Sequence, residues 1–286
     1  MGIGLGLGAA LAWGSADVLA TIASRRTGAF RVVLGFHVVA VVFLAVLVAA
    51  TGETLAGISA GDLAWLAVVG VLGGVAYLTF YRALAIGPIS IVSPIVAAYA
   101  AVTVVLAVLV GGERPGPGEI AAVVVVILGV LLASSDLSRI RGLERVALVG
   151  IVLALVTAVV IGGFVYGVAH FGEEHGWLVP VFLARGFSAV FLLAISLRNG
   201  EWRFPDRSPS LLGLIAAVGV VDTSAYVLFS VGVRHADTSV VATAAAPYAV
   251  VPILAGVFMF AERPRPTQWA GIALVLAGLV LLGLSA

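Results

Sequence analysis

Charged residues are scarce in this chain of 286 residues: 15 are basic and 14 are acidic, whereas 62% of all residues are hydrophobic. A water-soluble domain carries roughly a quarter charged residues, so this composition cannot cover the surface of a soluble fold. The mean hydropathy of +1.23 points the same way. The scarcity of charge therefore excludes soluble enzymes and nucleic-acid-binding proteins, and it predicts that the chain is embedded in a lipid bilayer.

Cysteine and lysine are absent. Without cysteine the chain can form neither a disulfide framework nor a thiolate metal site. Because every basic side chain is an arginine, the positions of the arginines matter more than the net charge of +1. There is also no His-Glu-x-x-His motif and no phosphate-binding loop. The sequence thus predicts no enzyme activity, no metal, no cofactor and no ATP-driven step.

Ten apolar runs of spanning length are present, separated by charged or Gly/Pro-rich breaks. They cover about 2–23, 31–50, 62–85, 89–111, 117–134, 146–169, 177–197, 210–233, 238–260 and 267–285. The first run has no basic residue before its apolar stretch, which a signal peptide requires, so we expect it to be retained. Prolines 94, 247 and 252 predict kinks in the fourth and ninth helices.

Glycines and the charged breaks give further expectations. Six glycines are predicted to let helices approach closely: Gly4, Gly8, Gly70, Gly74, Gly162 and Gly163. Glu173, Glu174 and His175 are predicted to lie in a solvated connector. Arg82, near a helix end, is expected to reach the membrane interface with its long side chain.

The chain contains an internal repeat. Shifting the sequence by 149 residues aligns 73–132 with 222–281 without a gap and gives 18 identities in 60 positions. The informative matches are Glu113-Arg114-Pro115 with Glu262-Arg263-Pro264, Pro117 with Pro266, Tyr77 with Tyr226 and Tyr99 with Tyr248. Each half, 1–143 and 144–286, then holds five predicted helices. An odd number of helices per half requires the two halves to insert with opposite orientation.

The arginines test this inversion independently. The connector after the first helix carries Arg25, Arg26 and Arg31, whereas its counterpart after the sixth helix carries no arginine. In the second comparison the bias is inverted, because the connector after the seventh helix carries three arginines and its counterpart after the second helix carries none. When Arg31 and Arg82, at the ends of their runs, are counted with the adjoining connectors, odd-numbered connectors hold 12 arginines in total and even-numbered ones hold 2. The positive-inside rule therefore favours an inverted repeat and, by charge alone, places both termini outside.

The sequence resembles the EamA-type transporters of the drug/metabolite transporter superfamily. The resemblance lies in the two five-helix halves, in Trp13-Gly14-Ser15 of the first helix, and in a Gly-Glu or Ala-Glu followed by Arg-Pro after the fourth and ninth helices. It implies a basket-like bundle around a central cavity and the export or exchange of amino acids and other small metabolites. It also implies cytoplasmic termini, in conflict with the arginine count, so the orientation stays open.

Ionised side chains inside apolar runs are costly in lipid, by about 2.5 to more than 10 kcal/mol, so they persist only where they face a cavity or a partner. Asp17, Arg185 and Asp222 lie well inside such runs. We expect Arg185 to hold an anionic group, and an aspartate to hold an ammonium group or a coupling proton. The alternative is a static buried pair between Arg185 and one aspartate. His37 is either a proton carrier or a hydrogen-bonded core histidine.

Aromatic side chains are expected around these charges. Trp13 lies one turn before Asp17 on the same helix face, and Tyr226 lies one turn after Asp222. The predicted cavity lining consists of Trp13, Tyr77, Tyr81, Tyr99, Tyr226 and Tyr248. Ordinary helix packing is the alternative for the tyrosines, whose phenols need a hydrogen-bond partner when buried.

Together these patterns predict an all-α integral membrane protein with ten transmembrane helices in two inverted five-helix repeats. The expected function is secondary transport or uniport of a small polar or amphipathic metabolite, with an amino acid as candidate, by alternating access. The expected location is a bacterial or archaeal cell membrane, as a monomer or weak dimer without nucleic-acid partners. A membrane-embedded ligand-binding scaffold or sensor is the main alternative, and an intramembrane enzyme ranks last.

Overall fold

The computed structural model describes residues 1–55, 57–112, 114–134, 144–200, 208–235 and 238–285. Within these ranges the chain forms helices and short connections, and no strand occurs in them. The predicted all-helical class is therefore correct for the described chain. Glu113, which the repeat pairs with Glu262, lies outside the described residues, as do the predicted connector stretches 135–143 and 201–207.

Twelve α-helices follow one another along the described chain. They are α1 (Gly2–Thr27), α2 (Ala29–Thr51), α3 (Ala60–Ile86), α4 (Ile89–Ala97), α5 (Tyr99–Leu109), α6 (Pro117–Ala133), α7 (Glu144–His175), α8 (Leu178–Asn199), α9 (Pro209–Val233), α10 (Thr238–Ala245), α11 (Val250–Phe258) and α12 (Pro266–Ser285). A 3-10 turn, Ala246–Ala249, joins α10 to α11. Since α4 and α5 are one interrupted helix, as are α10 and α11, these elements make the ten helices that the sequence predicts.

Eight helical segments are long and apolar enough to cross a membrane, and Pro117–Ala133 and Ala246–Phe258 are shorter apolar helices. The bundle also shows large hydrophobic side chains on its outside, such as Val46, Leu131, Val159 and Val190. An apolar exterior of this kind is stable in lipid but not in water. The chain is therefore an integral membrane protein.

Two helix ends differ from their predicted positions. Helix α7, the sixth of the ten predicted helices, continues to His175. The prediction that 173–175 form a connector was therefore wrong. It was drawn from charge alone, and Glu and His are compatible with a helix that ends at the membrane surface. The first helix likewise runs on to Thr27 past Arg25 and Arg26, whose charges suit a helix C-terminus.

Both predicted kinks are present, and they lie at matching places of the repeat. The backbone of Ala98, between α4 and α5, has φ −64° and ψ −3°. The backbone of Pro247, 149 residues later, has φ −76° and ψ 18° inside the 3-10 turn. Pro94 and Pro247 lack the amide hydrogen that a continuous helix requires, which weakens the helix at these points. Tyr99 and Tyr248 directly follow the two breaks.

Helices approach closely where glycines remove the side chain. A Cβ on Gly14 would lie 2.5 Å from the Tyr248 carbonyl oxygen and 2.6 Å from Val251 Cβ. On the other side of the bundle, a Cβ on Gly162 would lie 3.1 Å from the Tyr99 carbonyl oxygen and 2.7 Å from Val102 Cβ. These contacts press α1 and α7 against the broken helices. Gly14 of the Trp13-Gly14-Ser15 motif thus allows α1 to pack closely against the second broken helix.

The other predicted glycine contacts are mixed. A Cβ on Gly70 would lie 2.6 Å from the Ala184 carbonyl oxygen, so this glycine does bring α3 against α8. A Cβ on Gly74 would come within 3.1 Å of Phe191, and one on Gly8 within 3.5 Å of Leu228. At Gly4 and Gly163, by contrast, no described atom lies within 4 Å of the added carbon.

Gly162→Ala is expected to lower the melting temperature in detergent, because the new methyl group overlaps Val102 and overpacking of this kind costs about 1–3 kcal/mol. The neighbouring Gly163→Ala is the matched control, since it makes the same chemical change into open space. Equal melting temperatures for the two variants would contradict the close contact between α7 and α5.

The direction of the helices defines two ends of the bundle. The interrupted helices α4–α5 and α10–α11 each count as one here, and successive helices then alternate in direction. Helix α1 therefore begins, and α12 ends, at the same end of the bundle, which we name the termini end. The connections from α1 to α2, α3 to α4 and α11 to α12 lie at the opposite end, which we name the Arg25 end. Arg25 Nη2 donates to the Gly87 carbonyl oxygen at 3.0 Å there.

Candidate functional site

A cavity of about 330 Å³ lies between the helices of the two halves. It is lined by Trp13, Asp17, Tyr77, Phe80, Val96, Ala97, Tyr99, Ala100, Ile161, Val165, Asp222, Tyr226, Phe229, Ala245, Ala246, Tyr248, Leu279, Leu282 and Gly283. Its walls reach from the helix breaks in the middle of the bundle to Leu282 and Gly283 in the last turn of α12. The cavity therefore extends from the centre toward the termini end.

Arg185 and Asp222 form an ion pair beside the cavity. Arg185 Nη2 lies 2.8 Å from Asp222 Oδ2, and the same nitrogen donates to Tyr77 Oη at 2.8 Å. Tyr77 Oη in turn donates to Asp222 Oδ1 at 3.4 Å. Both charged side chains are almost fully buried, at 1% exposure for Arg185 and 5% for Asp222. The Nη2 contacts are those of the static-pair alternative, whereas Arg185 Nη1 is buried without a hydrogen-bond partner among the described residues.

Aromatic rings surround this arginine. The Arg185 guanidinium carbon lies 4.5 Å from the ring centre of Tyr77, 5.2 Å from that of Phe36 and 5.3 Å from that of Tyr226. Cations near aromatic faces at such distances are stabilised by the ring quadrupole. Arg185 is not among the residues that line the cavity.

Asp17 lines the cavity and stands apart from the ion pair. Its side chain is 7% exposed, and its Oδ2 has no hydrogen-bond partner among the described residues. Trp13, one turn earlier, packs with ring-centre distances of 5.2 Å to Tyr226, 5.8 Å to Phe229 and 6.4 Å to Tyr248. The carboxylate thus faces the cavity beside an aromatic wall.

Seven of the nine residues that the sequence singles out lie together around the cavity: Trp13, Asp17, Tyr77, Tyr99, Asp222, Tyr226 and Tyr248. Arg185 and Tyr81 do not line it. Tyr81 lies one turn beyond Tyr77 on α3 and packs against Phe36 and Phe80, in the core between α3 and α2. Its place in the substrate site therefore stays a prediction that the lining of this cavity does not support.

The remaining candidates have structural contacts. His37 is fully buried, and its Nδ1 lies 2.8 Å from the Val33 carbonyl oxygen, one helical turn away. The Nδ1 contact is that of a hydrogen-bonded core histidine, whereas Nε2 has no partner among the described residues. Arg82 is exposed, as expected of a side chain at the membrane interface. Among the described residues, no group of three or more His, Cys, Asp or Glu is placed to hold a metal ion.

Several lining residues were not expected from the sequence, although the repeat contains a signal for two of them. Phe80 and Phe229 both line the cavity and are 149 residues apart, as are Tyr77 and Tyr226. A search of the repeat for matched aromatic residues would have found this pair. The aliphatic lining at Ile161 and Val165 carries no such signal, because valine and isoleucine are abundant in every span.

A second polar cluster lies at the Arg25 end, and we name its residues Arg25, Ser90 and Glu262 the latch. Glu262 Oε1 accepts a hydrogen bond from the backbone N–H of Ile89 at 2.9 Å. Its Oε2 accepts from the backbone N–H of Ser90 at 2.9 Å and from Ser90 Oγ at 2.6 Å. Arg25 Nη2 lies 3.9 Å from Glu262 Oε1, and its guanidinium stacks 4.5 Å from the Phe260 ring centre.

The latch gives Glu262 a structural role. Its carboxylate caps the start of a helix, α4, that lies in the other half of the chain. The helix dipole and the free amide groups at the start of α4 favour a carboxylate at this place. Glu262 therefore joins the two halves at the Arg25 end.

An all-helical membrane protein with a polar and aromatic cavity at broken helices has the architecture of a solute transporter. Two stretches of the chain, residues 1–135 and 148–284, match the model of the EamA-like transporter family. The chain belongs to this family, and the resemblance found in the sequence is confirmed. The family is one of membrane transporters of small solutes and not of enzymes.

Comparison with known structures supports the fold. One solved structure, described as "Crystal structure of protein", superposes with a TM-score of 0.63 at 18% sequence identity, over 98% of this chain and 95% of that chain. At this identity the similarity shows the fold alone. A comparison with curated proteins finds no match.

Proposed function

We propose that the protein is a secondary transporter or uniporter that moves a small polar or amphipathic metabolite across the membrane by alternating access. The cavity carries this proposal, because it joins buried polar groups to an aromatic wall at the interrupted helices. A site of this kind in the middle of a helix bundle is where secondary transporters bind their substrates. Amino acids are the first substrate class to test, as for other transporters of this type.

We further propose that residues 1–143 and 144–286 are inverted repeats whose two-fold axis passes through the cavity. The lining supports this arrangement, because fourteen of its residues form seven pairs at separations of 148 or 149. The pairs are Trp13 with Ile161, Asp17 with Val165, Tyr77 with Tyr226, Phe80 with Phe229, Val96 with Ala245, Ala97 with Ala246 and Tyr99 with Tyr248. The separate family matches to 1–135 and 148–284 and the matched helix breaks also support it.

Two glycine contacts correspond to each other in the same way. Gly14 contacts Tyr248 and Val251, and Gly162 contacts Tyr99 and Val102, which are the corresponding residues of the other half. A two-fold arrangement allows the protein to adopt a second state in which the roles of the halves are exchanged. In this structure the cavity reaches the termini end while the latch holds the Arg25 end, so the exchanged state would open at the Arg25 end.

Ala246→Phe is expected to reduce transport at least fivefold, since the ring would fill part of a cavity of only about 330 Å³. The measurement is uptake and efflux of labelled amino acids and amines in proteoliposomes without ATP, with and without a pH gradient. Val159→Phe is the matched control because Val159 is 60% exposed on the outside of α7. No transport of any tested solute by the unaltered chain, or equal transport by both variants, would contradict the proposal.

A further inference from the structure

The two aspartates of the cavity differ in their partners. Asp222 has a counter-charge, because Arg185 lies 2.8 Å from its carboxylate. Asp17 forms no ion pair with any described residue, and its Oδ2 has no hydrogen-bond partner among them. Arg185 Nη2 is bonded to Asp222 and Tyr77, its buried Nη1 has no partner among the described residues, and Arg185 does not line the cavity. Among the described lining residues, Asp17 is therefore the carboxyl group without a counter-charge.

An ionised carboxylate at this place is costly unless something positive comes close to it. The architecture does not require an acid here, since the two-fold counterpart of Asp17 in the lining is Val165. The aromatic wall beside Asp17 adds to the attraction of a cation, because the faces of Trp13 and Tyr226 are negative. The remaining walls, such as Val96 and Ile161, are aliphatic. They suit an apolar body and offer few oxygen ligands to a bare metal ion.

We infer that the ligand of this cavity is a monovalent organic cation, an amine or quaternary ammonium compound with an apolar or aromatic body, whose charge pairs with Asp17. This inference rests on the proposed function and names its substrate class. An amino-acid zwitterion fits less well, because its carboxylate would need a cation, and the described residues that line the cavity include no cationic side chain.

The test uses ligands that share one phenylethyl body and differ in charge. Phenethylamine and its trimethylammonium analogue are cations, L-phenylalanine is a zwitterion, 3-phenylpropanoate is an anion and 2-phenylethanol is neutral. Their dissociation constants are measured by titration calorimetry on the purified full chain in detergent at pH 7. We expect both cations to bind at least tenfold more tightly than the alcohol. Tightest binding of the anion or the zwitterion would overturn the inference without any variant.

Asp17→Asn is expected to weaken the binding of both cations about 10- to 100-fold and to leave the alcohol unchanged, as for the loss of a charged hydrogen-bond partner. Asp62→Asn makes the same chemical change at a helix cap outside the cavity and should alter nothing in binding. If Asp17→Asn does not fold, Asp17→Glu and the charge series on the unaltered chain still decide. Unchanged cation affinity in Asp17→Asn would show that a proton is the partner of Asp17, and it would overturn the inference.

The same measurements separate this inference from the proposed function. Binding needs no transport, so tight cation binding without uptake in proteoliposomes would leave the Asp17 site standing and contradict the transport proposal. Transport of amino acids without any preference for cations would support the transport proposal and contradict the inference about Asp17.

Discussion

Asp222→Asn is expected to lower the free energy of unfolding by about 3–5 kcal/mol, because it would leave the Arg185 guanidinium buried without its counter-charge. The pair is short, at 2.8 Å, and Arg185 is only 1% exposed. Tyr77 would still accept one hydrogen bond from Arg185, but a phenol carries no charge. The measurement is the melting temperature in detergent, read together with transport in proteoliposomes.

The control for this prediction is a double-mutant cycle. Arg185→Met alone leaves Asp222 uncompensated and should also destabilise the protein. Replacing both residues, as Arg185→Met with Asp222→Leu, removes both charges and should recover much of the lost stability. A stable but inactive Asp222→Asn would instead show that this carboxylate acts on the substrate, since Asp222 also lines the cavity.

The helices of this fold can be predicted from sequence because lipid imposes a simple rule. Every backbone polar group must be paired within the span, so each apolar run of sufficient length becomes a helix. Charges then mark the connectors, with the exception of 173–175, where the helix continues to His175. The kinks were also predictable, since Pro94 and Pro247 remove backbone hydrogen bonds at defined places.

The cavity was predictable in part. Asp17 was found because a charged group inside a span is costly in lipid unless it faces a cavity or a partner. Trp13 was found because it lies one turn away on the same helix face. The rotation of a helix about its axis cannot be obtained from such reasoning. Tyr77 and Tyr81 share one face of α3 in sequence, yet only Tyr77 lines the cavity, because Tyr81 packs into the core beside Phe36. Likewise, nothing in the sequence indicates that Arg185 points to Asp222 and away from the cavity.

The site combines a symmetric scaffold with asymmetric chemistry. Aromatic and small lining residues recur in both halves, as Tyr99 and Tyr248 do. The charges do not recur, because Asp17 is matched by Val165 and Arg185 lies near the place of His37. In the two-fold arrangement that we propose, symmetry would supply the shape of the cavity and the means of changing its access, whereas the unmatched charges would supply its selectivity. Substitutions at matched and unmatched positions should accordingly affect different steps of transport.

Glu262→Ala is expected to open the Arg25 end. The carboxylate accepts three hydrogen bonds from Ile89 and Ser90, and hydrogen bonds to charged groups contribute about 1.5–3 kcal/mol each. A net loss of about 2 kcal/mol from the closed state would raise the population of the opened state about 30-fold. Ser93 is a suitable reporter, since it is fully buried one turn after Ser90.

The chain has no cysteine, so Ser93→Cys introduces a single thiol. Its rate of maleimide labelling should rise about 30-fold in Glu262→Ala, in proportion to the opened population. Glu119→Ala is the matched control, because Glu119 accepts a hydrogen bond at 2.7 Å from Gly116 at the start of its own helix and joins no distant segments. It should leave the labelling rate unchanged. If Glu262→Ala labels no faster than Glu119→Ala while both remain folded, the latch does not hold the Arg25 end closed, and that end must be held by packing between α4 and α11 alone.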